Sequence, residues 1–427
     1  MRPILALLIL SLLITSCTGI TPKPAEARVA QSALPRDTAP AVTDAELAAL
    51  VAGNTAFAVD LYQQLREGNA NLFFSPHSIS VALAMTYAGA RGETAAQMAE
   101  TLHFTLEDAV LHRAFNALDA ALAAQSAAAA GDAREAFELH VANSLWAEQE
   151  FTFLPEFLDT LAQNYGAGLN LVSFKTAAEA ARQAINAWVE AQTEKRIRDL
   201  IPEGGVDALT RLVLANAIYF NAGWVYPFEK ELTAEGEFTA LSGAVQRAPM
   251  MRWSGSKLVG YAAGAGYQAV ELPYQGGQAS MVLFVPEAGG FEAFEAGLTG
   301  ARVQELLAEL EAQNVTLTLP AFEVEASFKL AEALQQLGMV EAFDPVAADF
   351  SGMTGTADLY IGAVFHKAFV RVDEAGTEAA AATAVVMQLK SMPVNEVELT
   401  VDRPFIYLIR DVQSGAVLFM GRMGEVE

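Results

Sequence analysis

The peptide bond between Lys390 and Ser391 is the first feature of this chain with a definite chemistry. Lys390 is the only basic side chain between Arg371 and Arg403. A lysine just before a peptide bond suits a serine protease whose specificity pocket holds a carboxylate, as in trypsin. Leu389 offers the neighbouring bond to a chymotrypsin- or subtilisin-like enzyme. Residues that would make the chain itself a catalyst do not form a constellation. Its five histidines, at 77, 103, 112, 140 and 366, have no paired spacing for a metal, and there is no HExxH. A GxSxG elbow, a Walker loop and a GxGxxG turn are also missing. Ser254-Gly255-Ser256-Lys257 matches the SxxK of penicillin-binding enzymes, but the SDN and KTG partners are absent, so it reads as a polar turn. Asn314-Val315-Thr316 fits a glycosylation sequon within a strand pattern and carries little weight. No catalytic residue, metal or cofactor is expected.

The bond ends an unusual segment. Glu374-Ala375-Gly376-Thr377-Glu378 leads into Ala379-Ala380-Ala381-Ala382-Thr383-Ala384 and then Val385 to Ser391. Alanine favours helix, yet no apolar stripe is present and strand patterns flank the run. As a strand it would alternate between two faces. Thr377, Ala379, Ala381, Thr383, Val385 and Met387 would share an uncharged face able to settle on a core. Glu378, the single charge, would fall on the other. The segment can therefore be a loop in one state and a central strand in another.

The elements around it are mixed. Ser75-Pro76 opens a helix with a capping hydroxyl and a proline at the first position, and Ile79 to Tyr87 is apolar on nearly every face, as in a buried helix. Further helices are expected over 93–103, 107–124, 154–164, 177–196, 301–313 and 328–338. Strands are expected over 137–146, 267–273, 279–286, 314–326, 364–373, 405–410 and 416–422. Leu212 to Phe220 reads as a central strand covered on both sides. Helices dominate the first half and strands the second, which argues α+β.

The chain has 427 residues and a formal net charge of −25, which disfavours nucleic acid. Its densest basic cluster, Lys195, Arg196 and Arg198, reads as the solvated end of a helix. Ile4 to Ile14 is an apolar run too short to span a membrane and reads as an export signal. Ile14-Thr15-Ser16-Cys17 resembles the lipobox of bacterial lipoproteins, and Cys17 is the sole cysteine. The expected layout is a signal peptide over 1–16, a lipidated Cys17 with a flexible tether over 17–43, and one domain over 44–427. The protein would be exported and held at the bacterial cell surface or envelope through that lipid; with an ordinary signal peptide and an incidental cysteine it would be secreted.

Several motifs resemble the serpin family. Asn71-Leu72-Phe73-Phe74-Ser75-Pro76-His77-Ser78-Ile79-Ser80 resembles the segment opening the helix beneath the main sheet. Leu214 to Trp224 resembles the central strand and its turn. Phe365-His366-Lys367-Ala368, Arg403-Pro404-Phe405-Ile406-Tyr407 and Leu418-Phe419-Met420-Gly421-Arg422 follow in the expected order. The resemblance implies a serpin fold with three β-sheets, eight to nine helices and an exposed reactive-centre loop over about 374–400. It implies a monomer that traps its target serine protease in a covalent 1:1 complex after the cleaved loop inserts into the main sheet.

In serpins the hinge glycine lies fourteen residues before the residue preceding the scissile bond, and Gly376 so counted leads to Lys390. The hinge would comprise Glu374, Gly376, Thr377, Ala379, Ala380, Ala381, Ala382 and Thr383. Ser75, Ser78, Asn216 and His366 match positions beneath the opening of the sheet, and Trp224 and Glu374 match positions near its top. Ala321 stands where many serpins have a basic residue, which would leave Glu374 without its usual partner. A non-inhibitory member acting as a binding or chaperone protein is the rival; the small-residue hinge argues against it.

Overall fold

The computed structural model describes residues 27–129, 138–377 and 396–426. Cys17, Ala379, Ala380, Ala381, Ala382, Thr383, Leu389, Lys390 and Ser391 lie outside these residues. Ten α-helices are present among them: Asp44–Leu65 (α1), Pro76–Tyr87 (α2), Gly92–Thr101 (α3), Asp108–Ala129 (α4), Pro155–Tyr165 (α5), Phe174–Gln192 (α6), Phe291–Ala296 (α7), Gly300–Ala308 (α8), Ala331–Gln336 (α9) and Ser351–Thr354 (α10). The strands are Arg28–Ala30 (β1), Leu72–Phe74 (β2), Glu138–Glu148 (β3), Leu169–Val172 (β4), Leu212–Gly223 (β5), Ala234–Thr239 (β6), Val245–Arg252 (β7), Lys257–Gly264 (β8), Tyr267–Pro273 (β9), Ala279–Pro286 (β10), Glu311–Pro320 (β11), Phe322–Lys329 (β12), Ala363–Val372 (β13), Gly376–Thr377 (β14), Glu396–Thr400 (β15), Phe405–Asp411 (β16) and Val417–Met423 (β17).

Seven strands form one sheet in the order β1-β4-β3-β5-β14-β13-β12. The other ten form a second hydrogen-bonded network, β2-β17-β16-β10-β9-β8-β11-β7-β6, with β15 on β11. The three expected sheets thus appear as two networks. The second has two arms joined through β8, which pairs with β11 over Lys257 to Tyr261 and with β9 over Tyr261 to Gly264. Helix α2 is wedged between β3 and β5 of the first sheet and β17 of the second, and ten of its twelve residues are buried. Its lack of a polar face follows from having a sheet on either side. Helix α6 covers the opposite face of the first sheet, setting Phe174, Ala181, Ile185 and Val189 against Ala142, Trp146, Val213, Ala215 and Ala217.

Five expectations need correction, the last of them at the N-terminus. The helix expected over 301–313 stops at Ala308, because Glu311 already pairs with Tyr261 in the second sheet. The single strand expected over 314–326 is two strands in different sheets. It breaks after Pro320, which has no N–H to continue a ladder. The helix expected over 328–338 shrinks to Ala331–Gln336, since β12 runs on to Lys329. The basic cluster is not on a helix face: α6 ends at Gln192, and Glu194 and Lys195 turn the chain with φ of 50° and 66°. Arg196 then lies over the Tyr219 ring at 5.6 Å.

The tether expected through residue 43 gives way to ordered chain from Ala27. Strand β1 pairs antiparallel with β4, Arg28 opposite Leu171 and Ala30 opposite Leu169. The contact needs Gly168, since a Cβ there would sit 2.7 Å from a Val29 methyl. Ser32 then donates to Asp159 at 2.5 Å, and the Asp37 N–H donates to the Gln163 carbonyl at 2.9 Å. Arg36 reaches Asn116 at 2.8 Å and Asp119 at 2.5 Å on α4. Thr43 and Glu46 close a capping box at the start of α1.

Candidate functional site

The two middle strands of the first sheet, β5 and β13, run parallel and pair from Val213 with Ala363 up to Tyr219 with Phe369. Above that level they part. The gap is filled by β14, with Gly376 opposite Gly223 and Thr377 opposite both Ala222 and Val372. The hinge is therefore already two residues deep in the sheet.

Glycine is required at that entrance. A Cβ on Gly376 would lie 2.1 Å from the Ala222 carbonyl oxygen and 2.7 Å from the Gly223 Cα, both backbone atoms that cannot swing aside. Upstream, Asp373 folds the turn by accepting from the Ala375 N–H at 2.8 Å and the Gly376 N–H at 3.3 Å. Trp224 donates its backbone N–H to Ala375 and its indole N–H to the Asp373 carbonyl, at 2.9 and 3.0 Å. Its ring stacks on Tyr274, 4.5 Å between centroids and 13° from parallel. The Tyr274 hydroxyl meets the Thr377 hydroxyl at 2.7 Å in a fully buried contact, and burial pushes that phenol far above its ordinary range. Glu374 has a partner despite Ala321: it accepts from the Thr233 hydroxyl at 2.8 Å.

Lower in the seam the buried polar residues form one network. His366 and Asn216 are register partners across β5 and β13. The His366 Nε2 accepts from the Ser75 N–H at 3.1 Å, which leaves Nδ1 to donate to the Asn216 Oδ1. Asn216 donates to the Ser78 hydroxyl at 2.6 Å and to Asn143 on β3. Ser78 also donates to Asn143 at 2.9 Å, and Ser75 donates to the Leu418 carbonyl on β17 at 2.7 Å. Burial drives the His366 pKa down to about 3, so the ring is neutral. With both nitrogens committed, His366 has none left to activate a hydroxyl. What the site does is hold β14 at the mouth of the sheet, above a neutral and fully matched polar network.

Sequence reading missed Asn143, Tyr274, Thr233 and Asp373. Tyr274 had a signal, since it continues the buried alternation of Val270 and Leu272. Asn143 lay within a recognised strand pattern, but nothing marked it as the partner of Asn216. Among the described residues no group of histidine, cysteine and acidic side chains could hold a metal.

A family model described as Serpin (serine protease inhibitor) matches residues 52–425. The chain belongs to the serpin family. It is 40% identical over 382 residues to the human leukocyte elastase inhibitor, covering 87% of this chain and 98% of that protein. Among solved structures it resembles the native state of tengpin, a thermophilic serpin, with a TM-score of 0.81, 28% identity and coverage of 93% of this chain and all of the other. It also resembles human thyroxine-binding globulin complexed with thyroxine, with a TM-score of 0.77, 27% identity and coverage of 89% and 99%. This serpin is accordingly a member of a protease-inhibitor family and not an enzyme.

Proposed function

We propose that this serpin is a suicide substrate for trypsin-like serine proteases, cleaved between Lys390 and Ser391 and trapping the protease in a covalent 1:1 complex as the loop inserts. The observation that supports it most is buried Thr377 in β14. Thr377 fixes which side of an inserted strand meets the core, and by alternation Ala379, Ala381, Thr383, Val385 and Met387 take the same side. None of them carries a charge. Each backbone hydrogen bond gained on insertion contributes about 1 kcal/mol net, so a strand of this length, paired on both edges, supplies on the order of 10 kcal/mol or more. The choice of victim rests on Lys390. The relative's name concerns leukocyte elastase, whereas a lysine suits a pocket holding a carboxylate. We further propose that the protein is exported and anchored through lipid on Cys17.

The test mixes the protein with trypsin. An SDS-resistant complex with cleavage after Lys390 is expected. Cleavage without complex would point to a binding role instead, as in the thyroxine carrier, and cleavage after Leu389 would redirect the specificity to chymotrypsin- or subtilisin-like enzymes.

A further inference from the structure

Two positions fixed by the sheet registers lie at the same end of the molecule. The hinge enters the first sheet at the Gly223 end of β5. Strand β1 lies at the other end, because Arg28 is opposite Leu171, which is level with Ala147 and so with Leu212, the first residue of β5. The chain runs upward from Arg28 to Ala30 and therefore comes into the body from that far pole. In a loop inserted by the proposed mechanism, the register of β14 carried on one residue for one would put residue 386 opposite Val213 and 387 opposite Leu212. Lys390 would then fall level with Leu209, three residues beyond the end of β5. A protease acylated on Lys390 would finish at the pole where the N-terminal segment leaves.

We infer that, on a membrane, this serpin presents its reactive bond outward and drags its captured protease into the space between its own body and the lipid. The inference rests on the proposed suicide mechanism and on the proposed lipid anchor at Cys17. Eleven residue steps separate Cys17 from Arg28, which reach at most ~38 Å when fully extended. A compact protease of about 220 residues has a radius of gyration of about 17 Å and so a diameter of about 44 Å. The captured enzyme is thus wider than the longest gap the anchor allows. Insertion is slowed because the body must tip aside against its short tether, and a slowed insertion gives the acyl bond time to hydrolyse.

The experiment uses the full-length lipidated chain with trypsin, once on phospholipid vesicles and once in detergent micelles, and reads the ratio of cleaved serpin to covalent complex. That ratio should rise severalfold on vesicles. A Gly/Ser insertion of about 20 residues after Lys23, adding up to ~70 Å of reach, should return it to the micelle value. Equal ratios in both settings, or a rise that the insertion does not reverse, overturn the inference while leaving the suicide mechanism standing. No SDS-resistant complex in micelles would remove the mechanism and this inference together. A full-length chain that stays in the aqueous phase would remove the anchor and the inference with it.

Discussion

His366 is neutral because protonating it would place a charge in a fully buried network whose donors and acceptors are already matched. Its pKa is about 3 in the native state, against an ordinary value of 6.5. The unfolded chain therefore binds a proton below about 6.5 that the native state refuses until about 3. Stability contributed by the neutral ring is present above pH 6.5 and is lost as pH falls through that window, by up to about 1.4 kcal/mol per pH unit. His112, held near 4 by burial beside the Tyr165 hydroxyl, adds to the loss in the same direction. The urea midpoint should drop clearly between pH 7.5 and 5, and His366→Gln should make the slope shallower while the His112 share remains; a flat wild-type profile would refute this account. At the entrance of the sheet, Gly376→Ala puts a methyl group against the Ala222 carbonyl and should expel the hinge. Thr377→Arg would instead carry a charge onto the buried face. Both variants should turn over as substrates of trypsin with little covalent complex, as read on denaturing gels.

At the scale of elements, legibility depended on whether a segment's own pattern or its partner decided its structure. Strands β9 and β10 occupy the residues expected of them, since alternation at Val270 and Leu272 and the apolar run Met281 to Val285 leave no other fit. Glu311 to Gln313 has helical composition and was drawn into a strand by pairing with β8, a contact that composition does not report. Strand β14 was readable as a potential strand, but not its depth of insertion, which depends on Tyr274 and on the splay above Tyr219. The ordered N-terminal segment was least readable, because its hold comes from single polar contacts. Arg36→Ala should lower stability by about 1–2 kcal/mol. Most of that comes from leaving buried Asn116 with an unmet carbonyl rather than from the half-exposed pair with Asp119. Chemical denaturation would measure it, and an unchanged midpoint would mean the segment does not brace α4.

For the molecule as a whole, the two sheets and the helices between them are closed by a few long-range ties. Arg422 on β17 and Glu295 on α7, both buried, pair at 2.9 Å. The Tyr62 hydroxyl donates to Glu295 at 2.5 Å, and Arg66 reaches it at 2.9 Å, so α1, α7 and the C-terminal strand share one carboxylate. Arg422 also donates to the carbonyls of Ala70, Glu67 and Gly68. Arg422→Met should cost about 3–5 kcal/mol, because it takes one of the two guanidinium partners from buried Glu295 and leaves the carbonyls of Glu67, Gly68 and Ala70 without their donor; a loss under 1 kcal/mol in a denaturant titration would show that the network is dispensable. The family and the α+β class were legible from motif order, since those motifs line the seam, α2 and β17. The merging of two sheets through β8 was not, because it depends on how one strand divides its partners.

Strand β1 also sets how the molecule bears a load. A pull on the N-terminal segment away from its pole acts along the axis of β1, so that its hydrogen bonds to β4 are strained together and not one after another. Ser32 and Arg36 stand in series behind them, gripping α5 and α4. A force applied through the N-terminal segment would meet a sheared joint, the geometry that resists force, rather than one that peels. Held by its N-terminus under an optical trap, the chain should yield first at high force, with a short extension matching release of residues 28–43.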